Sequence, residues 1–449
     1  MNRREWKKSR LTERQLKNRK IISIIGIAAG VTVIIAAIFV CLGVFGVIRI
    51  PGSNGDKDQT AAVDAIEVET IEAEAGAETE NGTDTMAENG NDAESENDED
   101  SDSDSEDDAE DDGSFDREKW LASPPVVKGL YVTGPVAGSS RFDEILSIID
   151  STEINAVVLD VKNDEGNVTF KMSSGHPSDI GACVGYIRDI DATLQELKDR
   201  DVYVIGRIAC FKDPVLAEAD ADCALKTSDG RAVTDGEGLA WVNPCNETTW
   251  EYLIGIAEYC ADIGFDEIQY DYVRFPVGDV AAQADYGVEL GDTDKHEYIE
   301  GFLQLASERI HAKGIPVTAD VFGTVIGNEV DVGMVGQDYV KLAECVDALC
   351  PMVYPSHYGN GVYGIPVPDA RPYDTVYAAL TSSSEELSSV DISDRAIVRP
   401  WLQAFTATWV PGHISYDEEQ IQDQIRAVED AGYESWILWN AKNNYTALK

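Results

Sequence analysis

Residues 264–276 read GFDEIQYDYVRFP. Gly264 ends the helical pattern of residues 247–262, because glycine reaches the left-handed C-cap conformation without a Cβ clash. Residues 266–275 then carry Ile268, Tyr270, Tyr272, Val273 and Phe275, the β-branched and aromatic composition of a strand. A helix that runs straight into a strand is one unit of a parallel α/β sheet. This strand carries an acid, Asp271, close to its end.

The same unit recurs on both sides. Strands are expected at 128–134, 155–162, 202–210, 266–275, 315–323, 346–354, 396–405 and 435–441. Helical spacing of apolar residues falls between them, at 141–151, 185–200, 247–262, 295–313, 338–345, 373–387 and 417–431, with glycine stops at Gly264, Gly314 and Gly432. Eight strands joined by helical crossovers predict fold class α/β and a closed (β/α)8 TIM barrel. An open doubly wound sheet is the alternative. Only residues 443–449 remain after the last strand, so the eighth helix is short or missing.

Residues 120–449 are assigned to the barrel, and the 119 residues before them are of a different kind. Residues 1–20 hold nine Lys or Arg against Glu5 and Glu13. Residues 21–48 hold no charged side chain, and a bilayer core needs about 20 apolar residues. The pattern predicts one uncleaved transmembrane helix, with residues 1–20 cytoplasmic and the C-terminal domain extracellular. Residues 49–119 form an acidic linker, with 26 Asp or Glu between positions 51 and 117. Such a composition cannot bury enough apolar surface to offset its ordering entropy, so a disordered spacer is expected. The whole chain carries a net charge of −48, which opposes nucleic-acid binding. Eight cysteines without a C-x-x-C pair give no zinc signature. The sequence holds no H-E-x-x-H, G-x-S-x-G, P-loop or G-x-G-x-x-G, so zincin, serine-hydrolase and nucleotide-binding readings lack their starting motifs. No cofactor and no metal are expected; the partners expected are a membrane, through residues 21–48, and a polysaccharide or oligosaccharide.

In a barrel of this kind chemistry sits at the C-terminal ends of the strands. Three aspartates are expected there on separate strands, Asp160, Asp271 and Asp320. A carboxylate among apolar strand residues is costly to bury unless it is paired. Two carboxylates flanking one bond are what glycoside hydrolysis requires. Tyr354, Trp401 and Trp439 could stack on sugar rings, and Arg207 and Arg274 could orient the carboxylates. Lys162, Asp164, Gln269 and Gln403 complete the substrate-binding candidates. Each also has a plainer reading, as a cap, an ion-pair partner or a core side chain.

Residues 156–166 (AVVLDVKNDEG), 207–213 (RIACFKD), 241–243 (WVN), 264–276 and 318–323 (TADVFG) together resemble a bacterial family of glycoside-hydrolase-like domains, first described as a domain of unknown function. The resemblance runs from about residue 127 to 440 and implies a barrel glycosidase, often secreted or membrane-anchored. Related barrels of the α-amylase group use a strand-four aspartate as nucleophile and a strand-five acid as proton donor. That resemblance implies Asp271 as nucleophile and Asp320 as acid/base. This chain departs at strand five, where the amylases carry Glu, and Asp160 stays a rival for the acid. Two other readings stand beside the hydrolase: a non-catalytic carbohydrate-binding or wall-binding barrel, and a metal-assisted hydrolase using Asp160, Asp164, Asp271 and Asp320.

Overall fold

Parallel strands close on themselves in the computed structural model, which describes residues 115–291 and 294–448. The strands are β1 (Lys128–Val132), β2 (Ala156–Lys162), β3 (Val168–Phe170), β4 (Cys183–Ile187), β5 (Tyr203–Ala209), β6 (Glu267–Asp271), β7 (Val317–Phe322), β8 (Ala348–Met352), β9 (Ile397–Val398), β10 (Trp401–Gln403) and β11 (Trp436–Trp439). Around the ring the order is β1, β2, β5, β6, β7, β8, β10, β11, and β1 pairs in parallel with both β2 and β11. The expected barrel is therefore present, and the open sheet is ruled out by the pairing that closes it. The predicted anchor at 21–48 and most of the predicted linker lie outside the described residues. Among the described residues no helix is long and apolar enough to cross a membrane.

Local chemistry explains the element boundaries. The helix Glu247–Ile263 begins on the Asn246 side chain, which accepts from Thr248 N, and ends on Gly264 at φ 100°. The seventh strand is split into β9 and β10 because Arg399 and Pro400 interrupt it; proline has no N–H to give the ladder. The helix expected over 185–200 is shorter, Ile190–Lys198, and starts at the Asp189 cap. Residues 183–187 are instead the strand β4. With β3, which pairs antiparallel to β2, β4 extends the sheet off the barrel wall. These two strands escaped the pattern reading because three to five residues carry almost no periodicity.

The folded body starts before Trp120. Helix Arg117–Ala122 is capped by Asp116. Arg117 Nε lies 3.1 Å from Asp347 Oδ1 and its Nη2 donates to Val346 O at 2.8 Å. Phe115 N donates to His311 O at 2.8 Å. Of the five residues that composition assigns to the linker, 115–119, Phe115 and Arg117 are thus held by specific partners on the barrel.

The core has two compartments. A large apolar cluster fills the space between the strands and the helices. A smaller one fills the barrel lumen, with Tyr131, Ala156, Val158, Ile205, Cys350, Tyr354, Trp401 and Ile437. The lumen also holds a buried ion pair, Arg399 Nη1 to Glu267 Oε1 at 2.7 Å. Tyr203 OH (3.1 Å) and Thr318 Oγ1 (2.9 Å) donate to the same carboxylate, so its burial is compensated. All seven described cysteines are unpaired.

Candidate active site

Strand direction brings the site together. Tyr131, Asp160, Arg207, Asp271, Asp320 and Trp439 lie at or near the C-terminal ends of β1, β2, β5, β6, β7 and β11, which run parallel. Side chains of alternate residues point into the lumen; beneath Asp160, Arg207 and Trp439 that phase carries the apolar Val158, Ile205 and Ile437, and beneath Asp271 and Asp320 the polar Gln269 and Thr318.

Arg207 is the hub. Its Nη1 donates to Asp160 Oδ1 at 2.5 Å. Its Nε and Nη2 both donate to Asp271 Oδ2, at 2.9 and 2.5 Å. The guanidinium also lies 5.4 Å from the ring centres of both Tyr131 and Trp439, which stack on each other at 4.0 Å. The second oxygen of Asp160 accepts from Tyr131 OH at 2.5 Å. Both oxygens of Asp160 are therefore committed to protein donors. Burial pushes the Asp160 carboxyl above its ordinary range, against the opposing pull of Arg207 and Tyr131.

Asp271 ends β6, and Oδ1 accepts from the next backbone amide, Tyr272 N, at 2.6 Å. Tyr272 itself adopts φ 47°, a left-handed conformation that a non-glycine residue holds at a cost of about 1–3 kcal/mol. Asp320 faces Asp271 from the neighbouring strand. The ladder pairs Ile268 with Val317, Gln269 with Thr318 and Tyr270 with Ala319, and one step further sets Asp271 beside Asp320. Trp401 Nε1 donates to Asp320 Oδ1 at 2.6 Å, while Asp320 Oδ2 is buried with no hydrogen-bond partner. Burial, reinforced by the charge of Asp271, raises the Asp320 carboxyl well above the usual carboxylate range.

The remaining candidates separate. Gln269 lies one inward step below Asp271, fully buried; its Nε2 donates to Cys350 Sγ at 3.2 Å and its Oε1 has no partner. Arg274 lies among aromatic rings. Its guanidinium lies over the Phe322, Trp241 and Tyr272 rings at 4.7, 5.0 and 5.4 Å, and burial lowers it to about 9. The cation that orients Asp271 is Arg207. Lys162 is sealed in the wall, 3.0 Å from Asp213 Oδ2 and 2.6 Å from Ala209 O. Gln403 braces loops, accepting from Ser356 N and donating to Asp369 and to Phe405 O, each at 3.0 Å. Asp164 sits at the rim, 3.1 Å from Lys212 Nζ and 3.4 Å from Tyr272 OH. Tyr354 packs in the lumen cluster with Trp401.

Two residues at the site were not among the sequence candidates. Tyr131 lies in the first predicted strand, and its inward phase was readable from the alternation; only the partner, Asp160, was not. Lys212 gathers Asp164, Asp235 (3.5 Å) and Glu237 (4.0 Å) from an excursion after β5, which no local pattern announces. Asp160 and Asp271 converge on a guanidinium instead of on one another, so two of the four carboxylates offered for a metal are already served by Arg207. Among the described residues His296, Glu300 and Asp338 alone form a group with metal-ligand spacing, within 4.8 Å of one another. There His296 Nδ1 and Glu300 Oε1 make an ordinary i,i+4 contact at 2.5 Å.

Comparison with known proteins places this geometry in context. A family model described as "Putative glycosyl hydrolase domain" matches residues 129–445. The chain is 37% identical to a hypothetical protein from Ruminiclostridium thermocellum, over 43% of this chain and 97% of that one, at a TM-score of 0.39. It is 13% identical to the glycoside hydrolase domain of PgaB (BpsB) from Bordetella bronchiseptica, over 72% and 97% of the two chains, at a TM-score of 0.54. It is 14% identical to the spore cortex-lytic enzyme SleL of Bacillus megaterium, over 73% of each chain, at a TM-score of 0.41. The PgaB domain shares the fold; at this identity nothing more is taken from it. A search of the curated proteins returns no match.

Proposed function

From the premise that this chain belongs to the glycosyl hydrolase domain family whose model spans residues 129–445, we propose that it hydrolyses a polysaccharide outside the cell with Asp271 and Asp320 as its working pair. The observation that carries this reading is the contrast between the two acids. Asp271 Oδ2 takes two N–H donors from Arg207, which suits a carboxylate that attacks or steadies a sugar cation. Asp320 is held toward its neutral form, and its Oδ2 has no partner, which suits an acid that protonates the leaving oxygen. Asp160, with both oxygens taken, is a positioning residue for Arg207 in this scheme.

The steps follow from that assignment. The sugar ring binds above Asp271, and Asp320 donates its proton to the glycosidic oxygen as the bond breaks. Asp271 takes the anomeric carbon, and the aglycone leaves. Asp320, now a carboxylate, removes a proton from water as that water displaces Asp271. Adjacent strands are about 4.8 Å apart, which favours the short carboxyl separation of about 5–5.5 Å that goes with retention. Trp439, half-buried beside Arg207 and Tyr131, supports a role in stacking on the bound sugar.

The test is a glycan panel with the purified enzyme, followed by proton NMR of the first-formed anomer. Release of a product that retains the configuration, abolished by Asp271→Asn in a folded protein, is the expected result. Full activity of Asp271→Asn would remove the proposal.

A further inference from the structure

A second group of aromatic rings lies on the face where Asp271 and Asp320 emerge, and the mechanism leaves it unused. Tyr354 follows β8 and packs in the lumen cluster with Tyr131 and Trp401, the indole that donates to Asp320. Outward from it, the Tyr354 ring meets His357 at 5.2 Å and Phe405 at 6.0 Å. Phe405, two residues past the end of β10, stacks on Trp409 at 6.0 Å with 19° between planes. His357, Phe405 and Trp409 are each only half-buried, so they keep ring surface in water. Burial brings His357 down to about 4, so the ring is a neutral aromatic near pH 7.

The ring surface left in water asks for a ligand with a flat apolar face. A pyranose offers one in its C–H face, which suits aromatic side chains.

We propose that His357, Phe405 and Trp409, with Tyr354 at their inner end, form an outer subsite for a sugar residue of a chain extending from Asp320 over the loops after β8 and β10. The enzyme would then act on polymers in preference to simple glycosides. This rests on the glycosidase reading of the same face, and the test separates the two.

Detergent-solubilised full-length chain carrying Asp271→Asn is sedimented with microcrystalline cellulose, chitin, chitosan, curdlan, insoluble starch and purified peptidoglycan. Co-sedimentation with at least one is expected, and adding Phe405→Ala and Trp409→Ala should weaken it by about tenfold, the scale of an aromatic contact. Trp409→Phe keeps an aromatic ring at the same place and should retain most of the binding, and thermal melts of all variants report their folding. Sedimentation with none of the six, or binding unchanged in the double variant, overturns the subsite. Sugar release by the otherwise unsubstituted chain is read separately. Binding that depends on Trp409 without any hydrolysis would sink the glycosidase reading and leave the subsite standing. Hydrolysis of polymer and of aryl monosaccharide glycosides equally unaffected by Phe405→Ala and Trp409→Ala would do the reverse.

Discussion

Asp320 and Asp271 occupy adjacent strands and have different hydrogen-bond partners. Trp401 serves one oxygen of Asp320 and leaves the other bare, whereas Arg207 serves Asp271 twice. Removing the Asp320 acid as Asp320→Asn should lower kcat by about 10²–10⁴, the usual contribution of a general acid, measured on whichever glycan the panel identifies. The same variant has a stability signature. A carboxyl whose folded pKa is raised contributes stability below its unfolded value, near 3.9, and loses it as pH rises through the folded value. Asp320→Asn has no proton to lose there, so its melting temperature relative to the parent should climb as pH is raised from about 4 toward neutrality. A difference that is flat across pH would show that Asp320 is not held neutral. Arg207 sits between two buried carboxylates. Arg207→Met should therefore destabilise by about 3–5 kcal/mol, the penalty for stripping one partner from a buried pair; urea titration measures it, and a loss under 1 kcal/mol would mean the acids find other partners.

Element boundaries decide where a soluble domain must be cut. Composition alone marks everything before Trp120 as linker, yet Phe115 and Arg117 hold onto His311, Val346 and Asp347, far along the chain. Arg117 donates to the Asp347 carboxylate, and charge-assisted hydrogen bonds are worth about 1.5–3 kcal/mol each. A chain beginning at Gly113 should thus be more stable than one beginning at Trp120 by about 2 kcal/mol, read by chemical denaturation of the two side by side. Equal stability would mean that helix Arg117–Ala122 merely rests on the surface. The split between β9 and β10 has a comparable origin, since Pro400 withholds an N–H at mid-strand. Sequence reading joined them because the apolar pattern runs on through Arg399.

For the molecule as a whole, the acidic run and the uncharged segment before it give the proposed topology its test. Protease added to intact cells should release the barrel and leave residues 1–20 protected; a barrel that stays protected would contradict an extracellular substrate. The fold itself was legible in the sequence. Eight apolar strand patterns, seven helical ones and glycine stops follow from backbone sterics and side-chain burial, which act within a few residues of one another. The ends of β2 and β7, and hence the level at which Asp160 and Asp320 sit, followed from the same local rules, whereas the strand expected over 266–275 stops at Asp271, before Tyr272 turns to φ 47°. Which guanidinium meets which acid did not. Arg207 and Arg274 read alike along the chain, and only closure of β5 against β2 and β6 sets Arg207 between Asp160 and Asp271 while Arg274 turns onto aromatic rings. Lys162 likewise follows β2's carboxylate by two positions, but a shift of register between them sends it into the wall toward Asp213. Pairing between side chains 47 to 81 residues apart depends on strand register and on the curvature of the closed sheet. Those are properties of the assembled barrel, because no short stretch of sequence carries the position of its neighbour in the ring.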